Sequence, residues 1–174
     1  RDVETEIATV HTQTTQATNK KEATAWCDGF TSSDSSPDAI DKKARALLSA
    51  PQPRKDAIAE VCPKKKEFAE AFAKDAAGRV VDSDFSCMSD GSSVTVSGTA
   101  TVAGPTLASL GSYDVRIGIV VTSGAETSGV APSDTISMTI PQGGSAPFSS
   151  TVPDPSNSTG RCAVRTLGLW PSGV

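Results

Sequence analysis

Hydrophobic side chains follow two different periods along this chain. Up to about Gly78 they recur every three or four positions, as on a helix with one face against a core; beyond it they recur at every second position, as on a strand with one buried face. The change predicts an α+β protein. An N-terminal domain of three or four helices spans residues 1–78, an antiparallel β-sandwich spans residues 79–174, and each half is expected to have a core of its own.

In the first half, Val3, Ile7, Val10, Ala17 and Ala25 fall at helical steps, diluted with threonine, and predict one long helix ending near Gly29. Its thin stripe is expected to pack on its own domain; weak self-association through residues 2–30 is the alternative. Trp26 and Phe30, on either side of Cys27, are expected to roof a small core. A second helix has clear limits: Ser36 at the N-cap, Pro37 at the first helical position, Asp38 and Asp41 in the first turn, and Pro51 as the stop. Ile40, Ala44, Leu47 and Leu48 form its apolar face. A third starts around Pro53, carries Ala57, Ile58 and Val61 inward and runs into Pro63. Proline removes an amide and clashes with the preceding turn, so the helix kinks there or a new one begins. Phe68, Phe72 and Ala76 continue an apolar face to Gly78, the left-handed stop.

In the second half the alternating runs are Val94–Val102, Tyr113–Val121, Ile136–Ile140, Phe148–Val152 and Cys162–Thr166, with a first strand around 80–88. The segments between them, "AGPTLASLGS", "TSGAETSGVAPSD", "PQGGSA" and "PDPSNSTG", have turn and loop chemistry. Six or more short strands, each with one wet face, form an antiparallel sandwich.

The four cysteines, Cys27, Cys62, Cys87 and Cys162, are too far apart for metal-ligand pairs, so zinc and iron–sulfur sites are excluded. Of the three possible connectivities, Cys27–Cys62 with Cys87–Cys162 keeps each bridge inside one half. Each would stabilise the fold by about 3 to 4.5 kcal/mol through the unfolded chain. Cys87 shares parity with Phe85, and Cys162 with Val164, so both thiols of the second bridge are expected to face the core. An even cysteine count in a Thr/Ser-rich chain implies an oxidising exterior, extracellular or at the cell surface.

Charge sharpens the division. Residues 1–80 hold thirteen of sixteen Lys/Arg and thirteen of twenty Asp/Glu; residues 81–174 have no lysine, and Arg116, Arg161 and Arg165 stand against seven acids there. The net charge of −4 therefore belongs to the second half, and no basic stripe offers a nucleic-acid footprint. The one basic run, Lys64, Lys65 and Lys66, reads as a solvated helix face. No run of about 20 apolar residues would span a membrane. Because the chain begins at Arg1, a removed signal peptide, a lipoprotein anchor or a transmembrane helix is expected ahead of it.

Catalytic signatures are weak. G-x-S-x-G and S-x-x-K do not occur, and His11 is the only imidazole for either a triad or a Cys/His pair. Paired carboxylates for hydrolysis could be Asp82 with Asp84, or Glu67 with Glu70. Most of the aromatics are needed for cores, which leaves Trp170 either free for a ligand or packed over the end of the sandwich. Asp82, Asp84 and Asp90 could gather around calcium, although no EF-hand pattern is present. No glycine loop cradles phosphate, no cofactor is implied, and Asn157 heads an N-x-[ST] sequon.

The stretches "FSCMSDGSSVTVSGTATVAG", "SYDVRIGIVV", "IPQGGSAPFSSTVPDP" and "GRCAVRTLGL" together resemble the small Ig-like β-sandwich domains, FxLYD-type among them, of actinobacterial secreted proteins and lipoproteins. The resemblance covers about residues 82–170 and lacks the FxLYD sequence itself; residues 1–80 resemble no known family. It implies an extracellular, non-enzymatic module and carries over no functional residues. The expected function is thus a secreted or cell-envelope protein that binds a protein or envelope partner, of the interaction or adhesion type. The alternatives are an envelope-acting hydrolase with paired carboxylates and the sensor ectodomain of a membrane-anchored protein.

Overall fold

The computed structural model describes residues 2–75, 81–124, 126–154 and 161–174, the side chains of Val81 and Asp82 excepted. Helix α1, Val3–Asp28, opens on Asp2, whose carboxylate accepts the Glu4 amide at 3.1 Å. Its packed face is Asn19, Ala23 and Trp26 with Cys27, all in its last three turns. Val3, Ile7 and Val10 are exposed, which corrects the expectation that this stripe packs on its own domain. After a single 3₁₀ turn, Ser32–Asp34, helix α2 runs over Pro37–Ser49 with the Ser36 hydroxyl on the Ala39 amide at 3.2 Å. Ile40, Ala44 and Leu47 are buried. Leu48 is 52% exposed, because it lies a further 100° or so round the helix from Leu47.

Pro63 starts a new helix rather than kinking an old one: α3 is Gln52–Val61 and α4 is Pro63–Asp75, with Cys62 between them. Ile58 is buried and Ala57 half-buried, but Val61 is exposed, contrary to its predicted inward place. In α4, Phe68, Ala69, Ala71 and Phe72 face inward. Ala76 and Gly78, the predicted end of this face and its stop, lie outside the described residues. Among the described residues no helix is long and apolar enough to cross a membrane.

The second half forms two three-stranded antiparallel sheets. Strands β1 (Val81–Ser89), β2 (Ser93–Val102) and β5 (Ser145–Pro153) pair in the order β1-β2-β5. Strands β4 (Asp134–Ile140), β3 (Tyr113–Thr122) and β6 (Arg161–Pro171) pair in the order β4-β3-β6. The period-two pattern holds best on β5, where Ala146, Phe148, Ser150 and Val152 are buried and their neighbours exposed. A short helix, α5 (Pro105–Leu110), replaces the loop predicted for "AGPTLASLGS". Asp75 stabilises its start by accepting the Leu107 amide at 2.8 Å, and Leu107 enters the core. Gly98 leaves no room for a side chain between β1 and β2: a Cβ there would lie 2.0 Å from the Asp84 carbonyl oxygen.

Two corrections concern the core and its staples. The buried side chains of both halves form one contiguous cluster, not two. Phe30, just past the end of α1, and Phe68 of α4 meet Trp170 at ring-centroid distances of 5.0 and 5.8 Å, and Phe68 also lies 5.9 Å from Tyr113. A bulge in the β3–β6 register, between Arg116 and Ile117, brings this about. Leu169 then pairs with Val115 in the sheet core, while the next residue, Trp170, turns to the opposite face and meets the helices. Cys27 is joined to Cys62, and Cys87 to Cys162. Half of the second bridge meets the core as predicted, since Cys162 packs against it, but Cys87 does not. Cys87 is exposed because β1 is an edge strand, so a residue of core parity there has no neighbouring strand to cover it.

A cleft at the junction of helices and sheet

The outward faces of β3 and β4 carry polar residues: Asp114 and Arg116 on β3 stand beside Thr139 and Ser137 on β4. The 3₁₀ turn docks against β6 and raises a wall over this surface. Ser35 is buried; its carbonyl accepts the Leu169 amide at 2.9 Å and its hydroxyl donates to the Ser32 carbonyl at 2.7 Å. Between wall and sheet lies a cleft of about 500 Å³, which Trp170 also lines. Gly168 keeps it open, since a Cβ at that position would stand 3.1 Å from the Ser35 hydroxyl and 3.7 Å from Arg116 Nη2.

The two charged groups in the cleft differ in their engagement. Asp114 Oδ1 accepts hydroxyl hydrogen bonds from Ser172 at 2.9 Å and Thr139 at 3.2 Å. Arg116 is exposed and has no hydrogen-bond or ion-pair partner among the described residues. Arg165, by contrast, donates to the carbonyls of Val130 and Thr127 and so ties these two residues of the segment before β4 onto the sheet. An arrangement of several hydroxyls around one unengaged guanidinium can take a carboxylate in bidentate fashion and hydrogen-bond the backbone or side chains next to it.

The other sequence candidates are dispersed. Glu67 and Glu70 border a separate groove of about 490 Å³ with Leu48, Ala71 and Leu110, and Glu70 is paired with Lys66. Asp84 is exposed on β1, the Asp82 side chain lies outside the described residues, and so does Asn157. Asp90 forms a turn of its own: the amides of Ser93 and Ser92, then their hydroxyls, hold its carboxyl down to about 2. Among the described residues no group of three or more His, Cys, Asp or Glu side chains could hold a metal. All four cysteines are in disulfides, and His11 stands exposed on α1. The basic run is more than a solvated face: Lys65 donates to the Cys27 carbonyl at 2.8 Å and sits 5.8 Å from the Trp170 ring centroid. Trp170 itself is 5% exposed and serves the core.

Sequence reasoning missed the cleft. The only signal for it was Arg116, one of three cations in a lysine-free half, on the outward parity of β3 two residues after Asp114. Compared with known protein families, curated proteins and solved structures, the chain matches none.

Proposed function

We propose that the chain is a non-enzymatic binding module, extracellular or at a cell surface, whose β half is an Ig-like sandwich and whose junction cleft receives an acidic segment of a protein partner. The observation that carries this reading is the unengaged Arg116 in a cleft walled by Ser32 and Ser35 and kept open by Gly168. The two disulfides support an oxidising location. The cleft brings Arg116 together with hydroxyls and with one carboxylate, Asp114, whose Oδ1 is already taken up by the Ser172 and Thr139 hydroxyls, so the guanidinium is the group left to receive an incoming carboxylate.

Titrating isotope-labelled protein with a short peptide that carries adjacent glutamates tests this directly. Amide resonances of Ser35, Arg116, Ser137 and Gly168 are expected to move, and Arg116→Ala should abolish the movement at unchanged stability. Shifts confined to another surface, or equal binding by Arg116→Ala, would refute the assignment.

A further inference from the structure

Helix α1 runs away from the body of the molecule toward its N-terminus, with every side chain from residue 2 to residue 18 exposed. Val3, Ile7 and Val10 are 65%, 64% and 62% exposed. Together with Thr14, Ala17 and Lys21 they follow steps of four and three residues in strict alternation, the a/d spacing of a coiled-coil seam. At about 100° of rotation per residue, this seam points about 180° away from Asn19, Ala23 and Trp26, through which α1 packs on the body. A second helix can thus lie along the seam without meeting the rest of the chain.

The arm is poorly suited to standing alone in water. Thr9, Thr12, Thr14, Thr15 and Thr18 each turn a hydroxyl back to the carbonyl four residues earlier. Threonine is a weak helix former, and an uncovered helix of this length is marginal.

We propose that α1 covers its seam with the α1 of a second copy of this chain, antiparallel, with the two-fold axis near residue 12. In this register Ile7 faces Ala17 of the second copy, a large side chain meeting a small one, and Val10 faces Thr14, a side chain of its own shape whose hydroxyl is already bonded within its helix. The aliphatic stem of Lys21 lies over Val3. Glu6 and Lys20 flank the seam on the same side, and antiparallel pairing brings them opposite each other at both ends. A parallel pair would instead place Asp2, Glu4 and Glu6 of the two copies side by side, where like charges repel.

Sedimentation equilibrium over about a hundredfold range of concentration reads the result. The weight-average mass is expected to rise from the 17.8 kDa of one chain toward twice that value. Ile7→Asp should hold it at one chain throughout, and at concentrations where the wild type is also a single chain its melting temperature should be unchanged, because Ile7 is exposed. Glu6→Lys should weaken the association about tenfold or more, and Glu6→Lys with Lys20→Glu in one chain should restore it. A wild-type mass that never rises, or a dimer that survives Ile7→Asp, overturns the proposal. Failure of the charge-swapped double variant to recover overturns the antiparallel register.

Discussion

Phe68→Ala tests whether helices and sheets share one core. Phe68 is 1% exposed and its ring lies 5.8 Å from Phe30, 5.9 Å from Tyr113 and 5.8 Å from Trp170. Truncating a buried phenylalanine costs about 3 to 5 kcal/mol, and the loss of three aromatic neighbours puts this site at the upper end. In a chain of this size, about 2 to 4 °C is lost per kcal/mol, so the melting temperature should fall by about 10 to 20 °C. That loss is a large part of the roughly 5 to 15 kcal/mol that holds a domain folded. With the ring bridging both halves, strands must lose protection together with helices. Hydrogen exchange followed by mass spectrometry on a temperature ramp resolves the two, with fragments from α2 reporting on the helices and fragments from β2 and β5 on the sheet. Coincident transitions, both shifted down, are expected. If β2 and β5 keep wild-type protection at a temperature where α2 has exchanged, the halves have separate cores and the merged cluster has no energetic meaning.

Three further outcomes follow from the structure. Mild reductant should open Cys87–Cys162 before Cys27–Cys62, because Cys87 is exposed while Cys27 is 3% exposed; alkylation and peptide mapping read the order, and loss of the 75-residue loop should cost about 4.5 kcal/mol. Tyr113 is the only tyrosine, and burial first, then the charges of Asp75 and Glu67, raise its hydroxyl above the ordinary value. A raised folded-state value means that stability is intact below about pH 10 and falls as pH climbs beyond it, so tyrosinate absorbance should appear with unfolding; titration near the ordinary value in the folded protein would contradict this. Gly98→Ala should destabilise the β1–β2 pairing, seen as faster amide exchange in β1, since its methyl group would collide with the Asp84 carbonyl 2.0 Å away.

Much of the fold was legible because it rests on local chemistry. The Ser36 cap, the Pro37 and Pro63 starts and the alternation along β5 depend on neighbours in sequence, and within-half disulfide pairing followed from cysteine spacing. What escaped depends on which surface covers which. Alternation on β1 gives Cys87 core parity but does not reveal that β1 is an edge. The seam on α1 has helical spacing, yet the buried face is the opposite one, marked only by Ala23 and Trp26. The merged core hinges on the bulge in β6, which reverses the parity of Trp170, and Gly168 is the one residue in "TLGLWP" whose type points to a bulge. The cleft joins residues 32–35, 114–116, 137–139 and 168–170, segments that only the docking of the 3₁₀ turn onto β6 brings together.

That docking also bears on how the two proposed surfaces relate. The root of α1 is held within barely more than one turn by four separate links. Cys27 is bonded to Cys62, its carbonyl accepts from Lys65, Trp26 Nε1 donates to the Lys43 carbonyl at 3.1 Å, and Phe30 stacks on Phe68. A helix that buries so few side chains could be retained with less. Redundant links at one end of a lever add little to retention once the first has formed, but each removes a direction in which the lever can swing. The aim of the arm is therefore fixed relative to α4 and, through Phe30 and Trp170, relative to the floor of the cleft. Pairing two such arms antiparallel about residue 12 would then set the two clefts at one defined separation and orientation, related by the two-fold axis. A partner presenting two acidic segments at that separation would gain from both at once, whereas a single segment would gain nothing from the pairing.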